Sequence, residues 1–276
     1  MKTRILLMAL LAEGGCLAAQ TREMGRSFIH QYAAGCLAVD DDVFAVVRMP
    51  GSLPFSRTAK AGFCGSSDWI PGAGGSYTLA AVKPRQGDAF ALTFDHLKVG
   101  SYRSSAASLS YGLRLSEEWQ AGIRIGLSHT GIEGYGSGIA LPFALGAVYS
   151  MGERLRFSLH VDHGGRSLSD PVSADARKPL SVHFNVGQRL SSEAGIALLV
   201  FKQEGMPVSF IPLLQYRPAG VFDIRAGMAT GPASLYLCLG IIRPALRIDV
   251  AVRQNGALGW SSGLSLQWIA GEGRPR

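Results

Sequence analysis

The 276-residue sequence has a formal net charge of +7, a pI of about 9.4, 35 glycines, 47% hydrophobic and only 17% charged residues. Soluble domains usually carry about a quarter charged residues, which argues against an ordinary soluble surface, and the absence of an apolar run of about 18 residues after the N-terminus argues against membrane helices. The arginines are scattered singly, without a basic cluster or aromatic RNA-binding motif, so nucleic acid is excluded as a partner; anionic lipid headgroups, or pairing inside a lumen, suit the basic balance better.

The chain begins like an export signal. Lys2 and Arg4 precede an apolar stretch over 5–12, and Leu17-Ala18-Ala19 supplies small residues before Gln20, which predicts a leader over 1–19. Glu13 just before Cys16 argues against lipidation at that cysteine. Loss of the leader removes two cations and one anion and leaves a charge of +6. Of the remaining cysteines, Cys36 and Cys64 could bridge in an oxidising compartment, but the odd count with Cys238 favours buried thiols.

Residues 20–56 do not alternate and are expected to form a plug segment. Asp40, Asp41 and Asp42 precede the apolar run 43–47, and Pro50 follows; an Asp cap before and a proline after predict a short helix and a turn. From residue 57 to 269 the pattern changes to period two, the signature of strands with one apolar and one small or polar face. About fourteen candidates are expected: 57–64, 76–83, 89–97, 107–115, 119–128, 139–149, 155–161, 180–190, 194–200, 208–216, 222–228, 234–241, 246–253 and 258–268. The clearest lie in the stretch 107–161, where short connections at 116–118 and 151–153 predict antiparallel hairpins. Between 164 and 178 lies the one long polar connection.

Roughly fifteen residues per strand and connection suit an antiparallel up-and-down transmembrane β-barrel of about fourteen strands, with residues 270–276 left as a tail. Trp119, Tyr149, Tyr216, Trp260 and Trp268 fall near strand ends, as interfacial girdles do. A secreted sandwich or lipocalin-like barrel alternates too, but its outer face should be charged. The outer membrane is therefore the expected location, in a monomer or embedded in a complex.

With the oily faces outward, Arg114, Arg124, Arg154, Arg156, His160, Asp162, His183, Arg189, Asp223, Arg225, Arg247, Asp249 and Arg253 point into the lumen. They either fill it as charge pairs that hold the plug or line a polar pathway, and the aspartates 40–42 are expected to dock on them. His160, Asp162 and His163 resemble a metal motif, but on a strand His163 faces away from the other two, too few converging ligands for zinc. His160, His183 and Asp162 could orient a lumen serine, yet no nucleophile elbow is present. No catalysis, cofactor or metal is expected.

The run Asp41-Asp42-Val43-Phe44-Ala45-Val46-Val47-Arg48-Met49-Pro50-Gly51-Ser52-Leu53 resembles the mature N-terminus of the PorV/PorQ-like branch of the FadL-type long-chain fatty-acid transporter superfamily, which reads roughly D-D-A-x-A-x-x-x-N-P-A-x-L. Asp41, Asp42, Ala45, Pro50 and Leu53 match; Met49 and Gly51 replace the family Asn and Ala. The closing strands from Ile224 to Pro232 and from Leu258 to Trp268 are also similar. The resemblance implies fourteen strands, a lumen plug and a bacterium of the Bacteroidota. It further implies an accessory or docking role in protein export of the type IX kind or, alternatively, a hatch-gated channel for hydrophobic small molecules such as fatty acids. The apolar residues on both faces of 208–216 favour a greasy lumen, and an outer-membrane hydrolase is the remaining reading.

Overall fold

The computed structural model describes residues 42–67, 74–165, 180–231, 233–256 and 259–270. The expected leader, residues 20–41 with Cys36, Asp40 and Asp41, most of the 164–178 connection and residues 271–276 lie outside the described residues.

The first described element, α1 (Val43–Arg48), starts where the sequence places it: Asp42 Oδ1 accepts from the backbone N–H groups of Phe44 at 2.9 Å and Ala45 at 3.3 Å, which satisfies two donors of the first turn. Met49 ends the helix and Pro50 opens a 3-10 turn, Pro50–Phe55. All the rest is strand: β1 (Lys60–Ser67), β2 (Gly74–Pro84), β3 (Asp88–Val99), β4 (Tyr102–Arg114), β5 (Trp119–Ile132), β6 (Gly136–Ala140), β7 (Phe143–Met151), β8 (Leu155–His163), β9 (Leu180–Arg189), β10 (Ala194–Gln203), β11 (Ser209–Tyr216), β12 (Phe222–Thr230), β13 (Ala233–Ile242), β14 (Leu246–Asn255) and β15 (Gly259–Ile269).

Each strand pairs antiparallel with a chain neighbour except that β6 and β7 both pair with β5 rather than with each other, and β1 also pairs with β15, so the sheet closes. The expected strand over 139–149 is two pieces, β6 and β7, interrupted at Leu141-Pro142 and both paired to β5. Together they make one crossing, and the barrel is a closed antiparallel structure of fourteen strands. Pro142 lacks an amide proton, while its carbonyl still accepts from Gly126 N–H at 2.9 Å.

Alternation decides which face of each strand meets the interior. Outward positions carry large apolar side chains in open exposure, such as Leu92 at 61% and Leu239 at 53%, whereas the intervening positions are buried and mostly small or polar. We call the end where β1 begins and β15 finishes the terminal end, and the other the distal end. Outward aromatics stand near both ends: at the terminal end the Trp119 and Tyr149 rings lie 4.8 Å apart and Tyr216 and Trp268 are exposed, and at the distal end Phe210 and Trp260 are exposed.

The ladder has one weak seam. Between β11 and β12 regular pairing runs only from Leu213↔Gly227 to Tyr216↔Ile224. Phe210 N–H, directed at β12, donates to Thr230 Oγ1; two residues on, Pro212 faces the same neighbour and has no N–H to give. Beyond it side chains bridge the strands, Gly231 N–H donating to Ser209 Oγ at 3.2 Å.

Candidate functional site in the barrel lumen

The described N-terminal segment lies inside the barrel, leaning on one wall. Val43, Phe44, Val46, Val47 and Leu53 are buried against Cys64, Ala80, Val82, Ala89 and Ala91 of β1, β2 and β3. The 3-10 turn rests on β4, β5 and β7, where three inward glycines stand in register, Gly112↔Gly122↔Gly146. A Cβ on Gly122 would lie 2.2 Å from the Pro50 carbonyl oxygen, one on Gly112 2.7 Å from Leu53 Cβ, and one on Gly146 3.1 Å from Gly51 N. This row leaves a trough in the wall, and the backbone of Pro50 and Gly51 fills it. Of the motif residues, Asp42, Ala45, Pro50 and Leu53 are all buried in this packing, while Asp41 is outside the described residues.

Several barrel side chains grip the segment at its polar points. Arg124 on β5 donates to the Val47 carbonyl at 3.4 Å and to Asp162 on β8 at 2.6 Å. Arg114 reaches the Pro54 carbonyl at 3.5 Å, and the Arg156 guanidinium sits 4.3 Å from the Phe55 ring centroid. Gln267 on β15 accepts from Val43 N–H at 2.8 Å. These contacts come from widely separated strands, so the segment is braced across the barrel.

Beside the start of α1 lies an ionic network. Arg247 on β14 is fully buried and bonds both Asp223 and Asp249, the latter at 2.8 Å. Arg225 bonds Asp249 at 2.8 Å, Asp42 at 3.4 Å and Cys238 Sγ at 3.4 Å. Arg217 lies 3.4 Å from Asp223. Gln215, Ser265 and Gln267 occupy remaining carboxylate lone pairs. Three guanidinium groups thus face three carboxylates, and charges removed from water are tolerable when paired and hydrogen-bonded in this way. Of the aspartates expected to dock, Asp42 does so, on Arg225.

Distal to this network the β10–β14 wall turns apolar. Ala197, Leu199, Ile211, Leu213, Ala229, Tyr236, Cys238 and Ala251 form one buried cluster of inward side chains. Next to it the inward rings of His160, His183 and Phe201 form a tilted ring series across β8, β9 and β10 with centroids 5.4 and 4.6 Å apart. Nearer the distal mouth the lining is polar, with Ser66 bonded to Ser76 at 2.7 Å, Ser209, Ser234, Asn255 and Ser261 buried, and Arg253, also buried, opposite Tyr236 and Ser261.

The structure thus brings together Arg225, Arg247 and Asp249, and separately Arg124, Asp162 and His160, the last pair 3.9 Å apart. Arg114, Arg156 and His183 are isolated from the central network and touch the segment or the ring series. Asp162 is engaged by Arg124 at 2.6 Å, an ion pair that anchors α1. Among the described residues no three His, Cys, Asp or Glu side chains group as metal ligands, and His163 packs outward on Phe143. Sequence reasoning missed the glycine row and most of the apolar belt. The available signals were inward glycines at matching register and Ile211 and Leu213 at positions where neighbouring strands carry polar residues.

No protein-family model matches the chain, and no curated protein matches it. Solved structures do. The CymD monoaromatic hydrocarbon channel superposes with a TM-score of 0.60 at 12% identity over 84% of this chain and 94% of that one. The toluene transporter TbuX of Ralstonia pickettii gives 0.59 at 10% identity over 83% and 93%. A FadL homologue of Pseudomonas aeruginosa gives 0.58 at 13% identity over 89% and 96%. The chain therefore has the fold of the FadL-type outer-membrane barrels, closed, antiparallel and fourteen-stranded.

Proposed function

We propose that this protein is an outer-membrane channel for an uncharged or weakly polar hydrophobic small molecule. The observation that carries the reading is the apolar belt of Leu199, Ile211, Leu213 and Tyr236 on a wall of the lumen that otherwise carries mostly polar side chains. Inward apolar side chains gain nothing from a water-filled pore, and they suit a guest that is itself leaving water. The ionic network beneath the belt is internally matched, so it offers no surplus charge for an anionic head. The distal serine and asparagine lining supplies a wetted entrance, and the segment from Asp42 to Phe55 acts as the plug on the terminal side. The shortened β11–β12 ladder borders the belt and makes that seam the least constrained stretch of the neighbouring wall.

The export-accessory reading rests on the sequence resemblance of residues 41–53 and of the closing strands; channels and transporters for hydrophobic molecules are what the fold likeness brings. A mild-detergent pull-down of the tagged protein, with lipids and proteins identified by mass spectrometry, separates the two. Co-purifying small hydrophobic molecules without stoichiometric protein partners are expected. Stoichiometric secretion components with an empty lumen would reverse the choice.

A further inference from the structure

The outward face of the barrel is apolar up to a sharp boundary near the distal end of β3, β4 and β5. One cross-strand row reads Leu79, Phe94, Ala107 and Leu127. The next row towards the distal rim reads Tyr77, His96, Ser105 and His129, and the one beyond it pairs Lys98 directly with Arg103. Lys98, Arg103 and His129 are exposed. His96 is bonded to Ser105 at 2.9 Å and stacked on Tyr77 at 4.9 Å, which fixes that row as a floor.

Two cations directly opposite on neighbouring strands repel, and among the described residues neither Lys98 nor Arg103 has an ion-pair partner. Glu133, in the turn after β5, donates its backbone N–H to Ser101 and forms no ion pair with them. Elsewhere on this rim the described outward positions include Phe143, His163, Leu180, Phe210, Gln254 and Trp260, while Lys202 folds back on the Met206 carbonyl. Among the described residues the Lys–Arg pairing is therefore local. A ligand that relieves it is anionic at the rim and apolar two rows below, a distance of roughly 13 Å along the strands. That is the shape of a phosphorylated lipid.

We propose that Lys98 and Arg103 form a binding site for the phosphate of a phosphorylated membrane lipid, whose acyl chains lie on Leu79, Phe94 and Leu127. Arg103 offers the planar fork that phosphate accepts bidentately, and Lys98 adds a point charge beside it. The inference rests on the barrel spanning a bilayer; it is independent of what passes through the lumen.

The test uses the full-length protein in dodecyl maltoside, titrated with bisphosphorylated lipid A and read by native mass spectrometry. Retained heat-modifiable gel mobility shows that each variant is folded. Wild type retains the lipid, and K98Q/R103Q binds it about thirtyfold more weakly. K98R/R103K, which keeps both charges, stays within a few-fold of wild type. Dephosphorylated lipid A binds wild type as poorly as the double variant, and inorganic phosphate does not bind at lipid concentrations. Equal lipid affinity in wild type and K98Q/R103Q, or no effect of removing the phosphates, would overturn the site. Inorganic phosphate bound as tightly as the lipid would overturn its assignment to a lipid. Uptake of labelled toluene by K98Q/R103Q cells stays at the wild-type rate, so failure here and failure of the channel reading are read separately.

Discussion

The two walls of the lumen are built from the same alternating strands and end in opposite states. On β1 to β7 many inward positions shrink to Ala, Gly or Ser, and the chain's own Asp42–Phe55 segment fills the room they leave. On β10 to β14 the inward positions split into a charge-matched cluster near the terminal end and a belt of Leu, Ile and Tyr distal to it. The difference teaches that the size of inward side chains tells what the wall is covered by. Glycine in register lets backbone come close, and the bulky apolar side chains facing inward mark where we propose that a guest avoiding water is received.

The comparison breaks most severely if its ionic corner is opened. Arg247→Leu leaves Asp223 and Asp249 buried with one fewer cation and should destabilise the barrel by about 3–5 kcal/mol, seen as a lower midpoint of urea unfolding followed by tryptophan fluorescence. On the opposite wall, Gly122→Val forces a side chain into the Pro50 carbonyl. A loss of about 1–3 kcal/mol is expected, with the Asp42–Phe55 segment newly cleaved in limited proteolysis. Gly65→Ala, whose added Cβ would stand in ordinary contact 3.6 Å from the Phe63 ring, should leave both readouts unchanged.

Smaller changes sharpen the functional half of the contrast. Leu199→Asn with Leu213→Asn makes the belt resemble the polar mouth, and uptake of a labelled hydrophobic solute should fall about tenfold at equal protein in the membrane. The mildest expected effect is at the junction of the two walls. Asp42→Asn keeps an oxygen to cap α1 but gives up the charged bond to Arg225, a loss of about 1 kcal/mol. Asp42→Ala removes the cap too and should lose about twice that.

Much of the barrel was legible because period-two alternation records directly which face meets lipid. The strand count, the hairpins and the helix after Asp42 follow from it and from the capping chemistry. Other features depend on register, which a single strand does not carry. Gly112, Gly122 and Gly146 look like ordinary strand glycines until pairing lines them up. The break at Leu141-Pro142 is hidden because the outward apolar positions keep their rhythm across it. Inward charge was readable, yet its sorting was not: Arg225, Arg247 and Asp249 converge, whereas Arg114 and Arg156 meet the inner segment away from that cluster. The proposed export role drew on a short motif whose buried residues have a packing role in this fold.

The central claim is that the apolar belt receives a hydrophobic guest. Its most direct test is uptake of isotope-labelled toluene by cells that lack other hydrophobic channels and express either wild type or the Leu199→Asn, Leu213→Asn variant at equal outer-membrane levels. The account predicts uptake well above vector-only cells for wild type and a return close to that baseline for the variant. Wild-type uptake no faster than vector-only cells, or equal uptake by wild type and variant, would contradict it.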